Sequence, residues 1–300
     1  MADESPPPPG ETPPQPVPDA NLVRVWCSPD ADDRFMFRAL TLGLIPTDGL
    51  RFEIHHAPTN ELNDLASRDS DDAPDVLAVS IAHYARISDR WQLLPHGGSL
   101  GEGYGPMLIA REPLSPAELT GKRVAVPGIT TTAWTVLRMM IEVEPVVTPI
   151  VPYSLLFDRL RSGEVDAALV IHEGRLAFER EGFVALTDIG EAWRAMTDGL
   201  PLPLGGNVIR RDLGPERIAR ISEVVRRSIE HALAHRDEAI DWLLGFDTPL
   251  DRAGMDRYLS MYANERTRDY GADGRIAVEI LLEQAAAAGV VPECEVDWAP

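Results

Sequence analysis

The chain is poor in several things at once. Cysteine occurs twice, at Cys27 and Cys294. Two thiols so far apart in the sequence make neither a disulfide framework nor a metal cluster. Lysine occurs once, at Lys122, so nearly all positive charge is arginine. The 28 basic residues face 48 acidic ones, for a formal net charge of −20. A field this negative disfavours nucleic acid or an anionic membrane as the main partner. It leaves room for a small anion held by arginines and helix N-termini. No apolar run approaches the ~20 residues that span a bilayer. The first 20 residues, MADESPPPPGETPPQPVPDA, carry no basic n-region and no apolar h-region, which excludes a secretory signal of the usual form. They are expected to be a disordered tail on a soluble cytoplasmic protein. There is no P-loop and no C-x-x-C pair.

What is present is a repeated α/β pattern. Leu22 to Ser28 alternates and is β-branched, as a strand should be. Asp32 or Asp33 can cap a helix carrying Phe35, Met36, Ala39, Leu40 and Leu44 on one face. Strands are expected at Arg51 to His55 and Asp75 to Val79, with a helix from Thr59 between them and Ser80 at the end of the third strand. This β-α-β-α-β run is the signature of a parallel sheet. HGGSLGEGYGP follows, with five glycines between Gly97 and Gly105. That density implies tight turns or close backbone approach. The spacing is not that of a dinucleotide fingerprint, and the run leads into an extended segment, Met107 to Ala110.

From Ser115 the pattern restarts. Strands are expected at Lys122 to Val126, Val146 to Val151 and Val165 to Ile171. Helices are expected at Thr130 to Val143, Tyr153 to Arg161 and Arg175 to Glu181. After Arg211 the chain reads as almost wholly helical: Pro215 to His235, Arg236 to Leu244, Asp251 to Tyr262 and Asp273 to Ala288. The expectation is an α/β chain of two lobes with an interlobe cleft. Residues 21–110 and 207–300 form the first lobe, 111–206 the second, and the crossings near Ala110 and Gly206 act as hinges.

Two stretches carry the chemistry. VDAALVIHEGR delivers His172 at the carboxyl end of a buried strand, followed by Glu173 and Arg175. VPGITTTAW places Thr130, Thr131 and Thr132 between a strand and a helix. If both strands share a parallel sheet, these residues meet at the rim where open α/β sheets bind ligands. A histidine there is either a satisfied interior group or a base whose pKa suits proton transfer near neutrality. The threonines either cap the helix or hold an anion with hydroxyls and free N–H groups. Ser28 and Ser80 offer comparable hydroxyls in the first lobe. His55, His56, His83 and His96 show no ligand spacing. His231 and His235 are four apart among arginines, with no supporting acids, so a solvated helix face is expected and no metal site.

At these residues the chain resembles the 1,4-dihydroxy-6-naphthoate synthase family of the futalosine route to menaquinone. SPDADDRFMF, GSLGEGYGP, VAVPGITTTA, IHEGR and DIGEAWRAMTDGLPLPLGG occur in the family's order, from about Leu22 to the C-terminus. The resemblance implies a type-2 periplasmic-binding-protein-like fold used as a cytoplasmic enzyme. It implies a carbon–carbon lyase that converts cyclic dehypoxanthinylfutalosine, a small-molecule carboxylate, and needs no metal or organic cofactor. It implies His172 as general base. It also implies Ser80, Thr131 and Thr132 as ligands of the substrate's carboxylate and sugar oxygens, with Ser28 and Asp32 on the first-lobe rim. The family pattern at the first strand end is close to SPCPNDTF. Here Asp30 and Asp32 stand for its cysteine and asparagine, Arg34 for its threonine, and Ala78 for a lysine, so this rim is more negative. The alternatives are a solute-binding protein of the same fold, or a non-catalytic cytoplasmic relative.

Overall fold

β-branched, alternating stretches become strands where both faces can be covered, and the chain supplies enough of them for two sheets. A computed structural model describes residues 20–70, 73–149 and 154–300. The expected tail lies outside the described residues except for Ala20. So do Ile150 and Val151 of the strand expected to end there, and Tyr153 at the start of the next helix. The strands are β1 (Leu22–Cys27), β2 (Arg51–His56), β3 (Val76–Ser80), β4 (Trp91–Leu93), β5 (Ser99–Gly101), β6 (Met107–Ala110), β7 (Arg123–Val126), β8 (Glu144–Val147), β9 (Ala167–Val170), β10 (Val184–Asp188) and β11 (Leu202–Arg210).

The first sheet has the order β2-β1-β3-β11-β4, with β5 also on β11. Its first three strands are parallel, and β11 returns antiparallel to β3, β4 and β5. The second sheet has the order β10-β6-β9-β7-β8. β7 runs parallel to β8 and β9, whereas β6 runs antiparallel to β9 and β10. This mixed α/β arrangement is the two-sheet expectation with an antiparallel strand inserted in each sheet. The chain passes between sheets at residues 102–106 and 189–201, somewhat ahead of the expected boundaries at 110 and 206.

Helix Ala31–Thr41 is buried along nearly its whole length, with Phe35 and Phe37 at zero exposure. Each such side chain contributes about 1.5–3 kcal/mol on burial. One side meets helix Pro215–Ala234 through Met36, Phe37, Ile221 and Val225, and Ser228 Oγ donates to Met36 O at 2.6 Å. The other meets helices Arg236–Leu243 and Arg252–Tyr262 through Phe35, Ile240 and Tyr258. The late helices thus cover the first sheet, and one apolar core that includes Leu77, Trp91, Val124 and Trp134 runs through both sheets.

Three local expectations change. Asp30, rather than Asp32 or Asp33, takes the N-cap position of Ala31–Thr41, and Leu44 lies beyond that helix, 43% exposed. The helix after β7 is confined to Thr132–Met140. Arg175 to Glu181 is not an α-helix: a 3-10 turn, His172–Leu176, is followed by further turns.

The glycine-rich run has a steric reason. A Cβ on Gly105 would lie 2.8 Å from the nitrogen of Gly190, and a Cβ on Gly190 would lie 2.1 Å from the carbonyl carbon of Tyr104. The two inter-sheet passages touch backbone to backbone here, and Ile189 N donates to Pro106 O at 2.9 Å. Gly190 lies in helix Ile189–Met196, where alanine would ordinarily gain about 1 kcal/mol. We expect the reverse: Gly190→Ala should lower stability by about 1–3 kcal/mol through overpacking, read as a lower urea midpoint at unchanged m-value.

Candidate active site

The carboxyl ends of β1, β3, β7 and β9 converge. β7 and β9 are parallel neighbours, which brings the turn after β7 and the residues after β9 to one rim. β1 leads into Ser28, and β3 ends at Ser80. A cavity of about 100 Å³ opens between these ends, lined in part by Ser28, Asp32, Ser80, Thr131, Thr132, His172 and Tyr258. All six residues expected from the sequence lie on its wall, although they come from both sheets.

His172 sits where β9 breaks into the 3-10 turn, with φ of +50°. The left-handed region is uncommon for a residue with a Cβ, and residues held there cluster at functional sites. The imidazole is 18% exposed, and its Nδ1 lies 3.1 Å from Asp30 Oδ2 and 3.5 Å from the Tyr258 hydroxyl. That leaves Nε2, on a residue that lines the cavity, without a hydrogen-bond partner among the described residues. Arg175 turns away from the site. Its Nε donates to Gly105 O at 2.6 Å and its Nη2 pairs with Asp188, tying the turn to both inter-sheet passages.

The threonines take separate duties. Thr131 caps helix Thr132–Met140, donating its hydroxyl to Gly128 O at 2.8 Å and accepting from Trp134 N at 3.2 Å. Thr132 Oγ1 donates to Leu204 O at 2.7 Å and accepts from Ala82 N at 3.1 Å, bridging to the first lobe. Both hydroxyls are therefore committed within the protein. What the turn still offers the cavity is backbone N–H groups: Thr132 and Ala133 open the helix, where no intrahelical acceptor exists. Ser80 Oγ accepts from the buried Asn63 Nδ2 at 3.1 Å, which leaves the serine proton to donate. Asn63 Nδ2 also reaches Thr130 Oγ1 at 3.1 Å, and its Oδ1 accepts from Ser80 N at 3.0 Å. Sequence inspection missed Asn63 because a lone asparagine in a helix carries no pattern.

Four carboxylates surround His172. Ser28 Oγ donates to Asp30 Oδ2, Tyr258 O–H to Asp32 Oδ1 at 3.0 Å, Ser28 N to Asp33 Oδ2 at 2.5 Å, and Ala31 N to Glu173 Oε1 at 3.4 Å. Asp30, His172 and Glu173 each bring an atom of the kind that ligates metals within 4.8 Å of the others. The Asp30 oxygen near His172 is already shared with the Ser28 hydroxyl, so these residues are knit as a hydrogen-bonded acid–base cluster. Burial raises the carboxyl of Asp30 to about 6, although His172 pulls it down. Burial likewise raises Asp32, and raises Asp33 well above its ordinary value. Burial alone would push His172 down. Asp30 foremost, then Asp32, Glu173 and Asp33, outweigh it and raise the imidazole above its ordinary value.

The fold and this cleft define a class. The structure is of the periplasmic-binding-protein-like kind: it aligns with the alkanesulfonate-binding protein of Xanthomonas axonopodis pv. citri at a TM-score of 0.64 over 91% of this chain and 95% of that one, at 14% identity. A family profile described as menaquinone biosynthesis matches residues 23–287, and the chain belongs to that family. Two relatives named 1,4-dihydroxy-6-naphthoate synthase are similar over most of its length. The Streptomyces coelicolor protein is 36% identical over 279 residues, covering 91% of this chain and 96% of its own. The Thermus thermophilus protein is 37% identical over 272 residues, covering 89% and 95%. A crystal structure from Archaeoglobus fulgidus, 36% identical, superposes at a TM-score of 0.84 over 91% of this chain and 100% of that one. The protein is thus an enzyme of menaquinone biosynthesis.

The cluster has a consequence for stability. A carboxyl raised from 3.8 to about 6 on folding holds its proton in the native state, so its contribution is lost as pH rises between those values. A raised His172 has the same sign, its contribution being lost as pH rises through its folded value. Unfolding free energy should therefore fall by on the order of 1–3 kcal/mol from pH 4 to pH 7. Asp30→Asn should flatten that fall, measured by urea denaturation at constant ionic strength.

Proposed function

We propose that the protein is a carbon–carbon lyase that converts cyclic dehypoxanthinylfutalosine to 1,4-dihydroxy-6-naphthoate, with His172 as general base. The observation that carries the reading is the placement of His172. It is a strained residue at the end of a buried strand, lining the cleft and backed by carboxylates, in a chain of this family. An acid-backed imidazole with one free nitrogen can take a proton from a substrate hydroxyl. Retro-aldol cleavage of the adjacent carbon–carbon bond then follows, driven by aromatisation of the departing ring system, and a sugar-derived fragment is released.

The cavity's polarity orients such a substrate. Its His172 end is acidic and repels a carboxylate. The lining also offers the Ser80 hydroxyl and the opening N–H groups of helix Thr132–Met140, where an anion is favoured by the unpaired amides and the helix dipole. A substrate carboxylate placed there leaves the sugar-derived part toward His172. No helix among the described residues is long and apolar enough to cross a membrane, and we assign the reaction to the cytoplasm.

The fold also suits a protein that binds the same molecule without chemistry, and one assay separates the two. Purified protein supplied with cyclic dehypoxanthinylfutalosine should yield 1,4-dihydroxy-6-naphthoate by chromatography. His172→Ala should lower turnover at least 10²–10⁴-fold, as for loss of a positioned base, with far-UV circular dichroism unchanged. Binding without product in the wild type, or full turnover in the variant, would overturn the assignment.

A further inference from the structure

We propose that Asp30 is the positioning residue of this site: its carboxylate holds the Nδ1 edge of His172 from behind, so that Nε2 is presented to the cavity as the base. The proposal rests on the reading of His172 given above. Asp30 does not line the cavity, whereas His172 does, so it acts on substrate through the imidazole.

Several observations single out Asp30 among the acids around the ring. Its Oδ2 is 3.1 Å from Nδ1, and its side chain is 5% exposed. The other three carboxylates accept elsewhere: Asp32 from the Tyr258 hydroxyl, Asp33 from the Ser28 amide and Glu173 from the Ala31 amide. Asp30 is itself fixed in place. Ser28 Oγ donates to the same Oδ2, and the Asp30 backbone N reaches back to Ser28 Oγ at 3.3 Å. The helix that starts at Ala31 anchors the following backbone in the first lobe, while His172 belongs to the second. The pair therefore forms across the cleft, and the base is fully organised when the two lobes are together.

An imidazole's base nitrogen is set by what its other nitrogen contacts. A carboxylate at Nδ1 favours the proton there, frees Nε2 and stabilises the imidazolium that forms when Nε2 accepts a proton. The groups facing the ring from every packed element are Asp30 before the first helix, Asp32 and Asp33 in its first turn, Glu173 beside His172, and the Tyr258 hydroxyl. The largest attractive contribution to the imidazolium is that of Asp30.

The test compares wild type with Asp30→Asn, which keeps shape and removes charge. In the variant, kcat should fall roughly 10²-fold while KM stays within a few-fold. The acidic limb of the kcat profile should move to lower pH, because the imidazolium loses its carboxylate partner. A merely structural role would leave that limb in place, and an unmoved limb with unchanged kcat in a folded variant would overturn the proposal. A second measurement does not depend on the variant folding or on the substrate. In nitrogen-15 histidine spectra of the wild type, with His172 assigned from His172→Gln, the neutral ring should carry its proton on Nδ1 and titrate above 6.5. A neutral ring protonated on Nε2 would overturn the pairing. If the wild type gives no turnover but shows this titration, the reaction assignment falls and the pair stands. If turnover and His172 dependence hold but Asp30→Asn matches wild type, the pairing falls and the reaction stands.

Discussion

One imidazole held among four buried carboxylates is the constraint from which the site's construction follows. Charges taken out of water at this density are costly unless paired or protonated. The chain lowers that cost in two ways. The acids hold their protons to higher pH than free carboxyls do, as the raised Asp30, Asp32 and Asp33 show. Oriented donors are also directed at them: the Ser28 hydroxyl and amide, the Tyr258 hydroxyl and the Ala31 amide. Three of these donors sit where β1 ends and helix Ala31–Thr41 begins. The fully buried helix faces around Phe35 and Phe37 are what keep that junction fixed. Packing in the first lobe and basicity in the second are thus linked through a short segment of chain.

Much of this was legible in the sequence, for reasons that can be named. β1, β3, β7 and β9 are short apolar or alternating runs bounded by turn residues, and helix Pro215–Ala234 has a clear amphipathic period. His172 stood out because a polar cluster directly follows a buried run. β11 did not stand out. The stretch around Gly206 was read as a hinge crossing, yet the segment is a central strand whose register slips opposite β5, between Pro203 and Gly205. A proline is tolerated at such an irregularity. The expected helix from Arg175 failed because Arg175 is drawn to Asp188 and Gly105 instead of continuing a helix.

The site was half legible. Strand-end logic collected Ser28, Ser80, Thr131, Thr132 and His172, because position along a strand is a local property. It could not say that the threonine hydroxyls were already spent on Gly128 and Leu204, or that Asn63 joins Ser80 to Thr130. Nor could it pair Asp30 with His172 or bring Tyr258 to both. Those are facts of tertiary approach between segments far apart in the chain. The acidic rewriting of the first-lobe rim, read from sequence as added repulsion, is in the folded protein the environment of the base.

The contact between Gly105 and Gly190 has a mechanical meaning. Two ribbons that meet main chain to main chain, with an amide–carbonyl link from Ile189 to Pro106 beside the contact and the Arg194 side chain against Gly103, resist bending independently. The joint acts as a weld between the two passages, so a bend in one is carried into the other and both sheets receive it at the same place.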